Sequence, residues 1–261
     1  MMMMKMSHSN KPPDKKNPKK RGSYEPMRLN KYVAHCGVTS RRKAANLVKS
    51  GQIKVNGDTE RNPAYLVQED DQVSYRGKKL QLEQEFVYLL MNKPKNTITT
   101  KDDPHGRKTV MDLAKGMTNV RLFPVGRLDR DTTGLLLLTN DGDLTKKLTH
   151  PSHEIEKVYE VKLNRSFEES DMRKLRGGLE LEDGHAQVDA ANYVSGRSKD
   201  WVSVRLHIGR NRIVRRMFEH LGYQVEKLDR VILAGLTKKG LSRGRIRHLT
   251  EEEVRRLKYF T

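Results

Sequence analysis

The chain has 261 residues, a formal net charge of +19 and a pI near 9.9. That length holds one large domain or two unequal ones, and the charge exceeds what folding requires, so the expected partner is a polyanion: RNA, DNA or an anionic membrane. The single cysteine, Cys36, excludes an internal disulfide and a thiolate-rich zinc site and suits a reducing compartment, so the cytoplasm is expected.

No apolar run approaches the roughly 18 residues of a membrane span, and Met1 to Met6 lacks the apolar core of a signal peptide. Residues 1–26 hold 7 Lys or Arg against 2 acids, with several prolines and few apolar residues beyond the methionines. This composition predicts a disordered basic tail.

From Met27 the pattern becomes helical, with Leu29, Tyr32, Val33 and Cys36 on one side and Gly37 as the stop. Ser40 is expected to cap a second helix running to Ser50, with Ala44, Ala45, Leu47 and Val48 inward and Arg41, Arg42 and Lys43 at its start. Gln52 to Gly57 alternates and closes on Asn-Gly, a hairpin signal, and Asp71 to Tyr75 supplies another strand. Residues 27–80 carry 11 Lys or Arg and 5 acids, so the positive charge is concentrated in the first part of the chain. The order of elements, with Ser40-Arg41-Arg42-Lys43-Ala44 and Gly51-x-Ile-x-Val-Asn-Gly57, resembles the S4 RNA-binding domain. That likeness favours RNA as the partner and implies backbone contacts by Arg41, Arg42 and Lys43.

Phe86 to Met91 reads as a buried strand that opens a second domain and ends at Asn92-Lys93-Pro94. Residues 100–108 form a polar loop. The stretch from Gly126 to Thr139 then places Arg127, Asp129, Arg130 and Asp131 between glycines, ahead of four leucines that read as a strand buried on both faces or as the start of a buried helix. A polar turn on such a rigid run suits a catalytic carboxylate; a surface turn whose aspartates bond local amides is the alternative.

Asn140 to Asp143 turns into a short helix ending near His150-Pro151. Its acids lack a calcium-loop continuation, and no metal site is expected. Glu156 to Leu163 alternates as a strand, with Tyr159 on the buried side as either a core or a site tyrosine. Ser166 is expected to cap a helix closed by Gly177-Gly178. Strands follow at Gln187 to Val194 and at Trp201 to Ile208.

From Gly209, Ile213, Val214, Met217, Phe218 and Leu221 make a helical stripe flanked by Arg212, Arg215 and Arg216. Arginines on a core-anchored helix suit phosphate or carboxylate binding. Leu228 to Leu236 reads as a strand and turn, and Thr250 to Glu253 as the capping box of a final helix.

The string Gly126-Arg127-Leu128-Asp129-x-x-Thr132-x-Gly134-Leu135 resembles the active-site signature of the pseudouridine synthases that modify ribosomal RNA. The resemblance implies an α+β fold: a small S4 domain over 27–80, then over 81–261 a larger mixed, mainly antiparallel sheet with flanking helices. It implies that Asp129 is the catalytic residue, that Tyr159 of a Lys-x-Tyr motif packs on the target base, and that Arg215 pairs with Asp129. An apolar residue of the 228–236 region is implied beneath the base, and Arg107, Arg127, Arg210 and Arg212 are expected RNA contacts.

Pseudouridine formation moves the ribose C1′ bond from uracil N1 to C5 without redox change, so no cofactor or metal is expected. The expected partner is ribosomal RNA, 23S before 16S, acted on by a monomer. The rival readings are a non-enzymatic S4-type RNA-binding protein and a metal-dependent nuclease.

Overall fold

The structure, a computed structural model, describes residues 25–82, 85–100 and 103–259. Apart from its last two residues, the expected basic tail lies outside this range. Chain contacts divide the molecule into two compact units, Met1–Leu82 and a second beginning at residue 83.

In the first unit the helices Leu29–His35 and Arg41–Lys49 pack on a four-stranded sheet ordered Asp58–Thr59, Ile53–Val55, Val73–Tyr75, Lys78–Lys79. Leu29, Val33, Ala44, Val48, Ile53 and Val67 are fully buried between these layers. Ser40 Oγ accepts from the Lys43 amide at 3.3 Å, as its place before the helix requires. Val55 pairs with Asp58 across Asn56-Gly57, both at positive φ, which is the primed turn that Asn-Gly favours. A further short pairing, Met27–Arg28 on Leu66–Val67, has no periodicity by which the sequence could announce it.

The second unit is built on a nine-stranded sheet. Its main path runs Ala190–Tyr193, Trp201–Leu206, Lys157–Leu163, Val225–Leu233, Thr133–Thr139, Tyr88–Lys93, Ile246–His248, and the two remaining strands, Leu236–Thr237 and Phe123–Pro124, pair off it with Val225–Leu233 and Thr133–Thr139. All neighbours on this path are antiparallel except Val225–Leu233 beside Thr133–Thr139, which pair in parallel at Asp229↔Thr133 and Arg230↔Gly134. This is the α+β arrangement with a mainly antiparallel sheet that the sequence implied.

The four leucines form a strand, Thr133–Thr139, buried along its whole length. Leu136 and Leu138 point into one apolar layer with the helices Glu169–Gly177 and Ile213–His220. Leu135 and Leu137 point into the other with Gly142–Thr149 and Glu251–Tyr259. A strand with helices on both faces needs no polar side, which is why its periodicity is silent.

Several boundaries differ from expectation. The first strand runs on to Lys93, and the strand entering the parallel pair begins at Val225 rather than Leu228. The helix expected from Ser166 starts at Glu169 with Glu168 as N-cap. A hairpin of Leu179–Leu181 and Gly184–Ala186 was not anticipated. Thr250 and Glu253 do form the reciprocal capping bonds, at 2.9 and 3.2 Å.

Candidate active site

The polar turn after Gly126 leads into the Thr133–Thr139 strand where the sheet's one parallel pair begins. Gly134 lies here at φ +107°, and a Cβ on it would stand 2.2 Å from the Arg230 carbonyl oxygen, so only glycine allows this approach. On the other side of the turn, Thr99 Oγ1 donates to the Leu128 carbonyl at 2.7 Å and accepts from its amide at 3.2 Å.

Beneath the turn lies Lys93, fully buried at the end of its strand. Its Nζ donates to the carbonyls of Thr132 at 2.8 Å, Asp129 at 2.9 Å, Pro94 at 3.2 Å and Arg130 at 3.4 Å. Burial pulls its pKa down to about 8, with Asp131 and Asp129 opposing the shift and Arg230 adding to it. A buried cation therefore fixes the backbone on which Asp129 is carried.

The Asp129 side chain is 35% exposed, and its Oδ2 lies 3.6 Å from Nη1 of Arg212. Arg215, buried on the next helical turn, instead pairs with Asp131 at 2.7 Å and donates from Nη1 to the Val225 carbonyl at 3.0 Å. The expected Arg215–Asp129 pair is thus corrected. Arg212 is not part of the helix but its N-cap, in the left-handed region at φ +46°, and this turn aims its guanidinium at Asp129.

Tyr159 is 9% exposed and stands opposite Arg230 at a register shift between Val158 and Tyr159, where Val231 is bulged out. Arg230, 3% exposed, donates from Nε to the Leu135 carbonyl at 2.8 Å and reaches the Tyr159 hydroxyl at 3.5 Å from Nη1. Lys157, two residues before Tyr159 and on the same face, donates to the His207 carbonyl at 2.5 Å. Burial brings its pKa down to about 8, assisted by Arg230 and opposed by Asp189. These groups and Asp129 line one cavity of about 270 Å³.

The chain that holds this carboxylate over a cavity with a buried tyrosine is matched by two family profiles. One, described as RNA pseudouridylate synthase, covers residues 87–220, just over half the chain; the other, described as S4 domain, covers 27–73. The chain belongs to the RNA pseudouridylate synthase family. It is 44% identical over 234 residues to ribosomal large subunit pseudouridine synthase B of Bacillus subtilis, covering 88% of this chain and 95% of that one. A protein of the same name from Buchnera aphidicola is 36% identical over 80% of this chain and 87% of its own. A crystal structure of a pseudouridylate synthase superposes with a TM-score of 0.63 at 28% identity, over 88% of this chain and 99% of that one.

Within this synthase the residues singled out by sequence divide by location. Asp129, Arg127, Tyr159, Arg210 and Arg212 line the cavity, with Leu228 and Leu233 from the region implied beneath the base. Arg215 does not line it. Arg210 is bound by the turn of the unforeseen hairpin, donating to the carbonyls of Asp183 at 2.9 Å, Gly184 and His185 and to the Asp183 carboxylate; Arg216 grips the same carboxylate.

Arg107 is held by Asp103 through a fork with its shortest bond at 2.6 Å, which keeps the Asp103 carboxyl down at about 2. Arg41, Arg42 and Lys43 stand exposed in the first turn of their helix.

Lys93, Lys157 and Arg230 were missed as site residues. Lys157 was visible in the Lys-x-Tyr spacing. Lys93 was read as a strand terminator, and Arg230 sat in a segment described only by its apolar residues. Among the described residues no group of three or more His, Cys, Asp or Glu is placed to hold a metal.

Proposed function

We propose that this synthase isomerises a specific uridine of ribosomal RNA, most directly 23S, with Asp129 as the catalytic carboxylate. The observation that carries this reading is Asp129 itself, fixed through its backbone by Lys93 and faced by Arg212 at the mouth of a cavity that also holds Tyr159. The 44% identity to a large-subunit synthase B supports the choice of substrate.

Asp129 acts ionised, either attacking C1′ or removing the C2′ proton, and no external reactant is consumed. The uridine leaves its stack at a cost of a few kcal/mol, recovered by packing on Tyr159 and by backbone contacts. Arg41, Arg42 and Lys43 supply contacts in the S4 unit, and Arg127 and Arg212 supply them at the cavity mouth. Arg107 and Arg210 contribute once their carboxylate partners exchange for phosphate. The enzyme works as a monomer in the cytoplasm, a reading consistent with its charge and its lone cysteine.

The test is incubation of the purified chain with unmodified 23S and 16S rRNA in the presence of chelator, followed by carbodiimide-dependent reverse-transcription stops. A new stop in 23S that Asp129→Asn abolishes is the expected outcome. A stop in 16S alone moves the substrate to the small subunit. Tight binding without any stop replaces the enzyme with an RNA-binding protein.

A further inference from the structure

The cavity contains more positive charge than its own carboxylates balance. Tyr159 and Arg230 are directly opposed on adjacent strands, so their side chains share a face, and Lys157 shares it by strand alternation. Among the described residues, neither Lys157 nor Arg230 has a carboxylate within ion-pairing distance.

Lys157 is held only by a neutral carbonyl, that of His207. Arg230 bonds the Leu135 carbonyl and the Tyr159 hydroxyl, while its Nη2, buried, has no partner. The acidic group that acts on Lys157 is Asp189, which is itself bound to His207 Nδ1 at 2.7 Å.

Holding a buried arginine and a half-buried lysine on one face without an anion is costly, and the cost is borne at the inner end of a substrate cavity. The exposed arginines, Arg127 and Arg212, lie at its open side. A phosphate, strongly hydrated, suits the open side. A flat, delocalised anion beside a tyrosine suits the buried end.

We propose that Lys157 and Arg230 stabilise the uracil anion that forms when the target base separates from its ribose. This rests on the proposed uridine isomerisation. The C1′–N1 bond breaks with its electron pair moving to N1, and the resulting charge is shared by N1, O2 and O4. At the ribose, either an Asp129 oxygen bonds to C1′, or Asp129 takes the C2′ proton and a C1′–C2′ double bond forms. After the base turns, C5 bonds to C1′ as the Asp129 ester breaks or the C2′ proton returns. C5 then loses its proton and N1 gains one. Atoms and electrons balance without a co-reactant. The cations act on charge present only between the two bonds, which is where such stabilisation raises the rate.

The test uses the full chain in single turnover at saturating RNA, with either uridine or 5-fluorouridine at the target position. Fluorine makes N1 more acidic and the departing base less dependent on help. Loss of the N-linked nucleoside is read by chromatography of RNA digests. Lys157→Met is expected to slow cleavage about 100-fold on uridine, and much less on 5-fluorouridine, with RNA affinity unchanged. Lys157→Arg restores most of the rate.

Should Lys157→Met melt below the assay temperature, the wild-type pH profile decides. As pH rises past about 8, Lys93 beneath the Asp129 turn and Lys157 both lose their charge; the Lys93 part of the fall is common to both substrates, and the Lys157 part makes the fall steeper on uridine than on 5-fluorouridine. Lys157→Arg keeps its charge through this range, so its rates on the two substrates fall in parallel, with only the Lys93 titration left. Equal slowing on both substrates, or weaker binding with an unchanged saturated rate as for a phosphate contact, overturns the proposal. An inactive wild type, or an active Asp129→Asn, refutes the proposed function instead.

Discussion

Replacing Lys93 with methionine keeps the length of the side chain and removes its charge and its hydrogen bonds. The shortest of these, to the carbonyls of Thr132 and Asp129, are 2.8 and 2.9 Å, and an unpaired buried acceptor costs about 1–3 kcal/mol. Two of them give roughly 2–6 kcal/mol. Methionine escapes the penalty of burying the ammonium, which the fall from 10.5 to about 8 places near ~3 kcal/mol. The net effect lies between a gain of about 1 and a loss of about 3 kcal/mol, a melting shift of at most several degrees.

Activity should fall much further, because displacing a reacting group by about 1 Å costs on the order of 100-fold. Thermal unfolding and single-turnover pseudouridylation, measured on the same preparation, separate the two effects. A rate loss no larger than the loss of folded protein would refute the positioning argument. The pH dependence adds a second check. The folded pKa of Lys93 lies below its unfolded value, so the folded state carries the full penalty below about 8. Wild-type stability therefore gains from this group as pH rises from about 8 towards 10.5. The difference between wild type and Lys93→Met should show that gain, since Lys157 is common to both.

Arg215→Met and Asp131→Asn should be non-additive, with a coupling of about 1 kcal/mol for a pair whose acid is half exposed; additive stabilities in a double-mutant cycle count against the pair at 2.7 Å. Changing Arg41, Arg42 and Lys43 together to alanine should weaken binding to rRNA fragments of any sequence and flatten the salt dependence by roughly 0.7 per lost phosphate contact. An unchanged slope in filter-binding titrations would remove these residues from the interface. Glu253 is held at about 2, below its usual 4.5, first by hydrogen bonds from Arg247. It thus contributes about 3 kcal/mol above pH 4.5, lost as pH falls towards 2. Glu253→Gln should destabilise the protein at pH 7 and become neutral near pH 2 in chemical denaturation.

The elements most legible in the sequence were those with a strong local signal: Ser40 as a cap, the Asn56-Gly57 turn, and the stripe from Ile213 to Phe218. The Leu135–Leu138 run was ambiguous because both faces are covered, so no polar alternation distinguished strand from helix. The glycines around Asp129 were visible, but not the reason for Gly134. Its neighbour across the parallel pair, Arg230, is nearly a hundred residues later in the chain.

The sequence by itself determined the two-module organisation, the α+β class and the set of chemical groups from which a site could be assembled, the first through the change in composition and periodicity along the chain, the others through motifs that resemble a known family. Tertiary structure alone decided which groups meet. The resemblance offered Arg215 to Asp129 and Arg212 to RNA, whereas a left-handed turn at Arg212 placed Arg212 beside Asp129 while Arg215 was directed to Asp131. A one-residue bulge set Arg230 against Tyr159, and a strand displaced two residues towards the C-terminus from its expected place carried Lys93 beneath the Asp129 turn. Each of these contacts joins residues distant in sequence through backbone geometry that leaves no local trace, so it exists only once the sheet has closed.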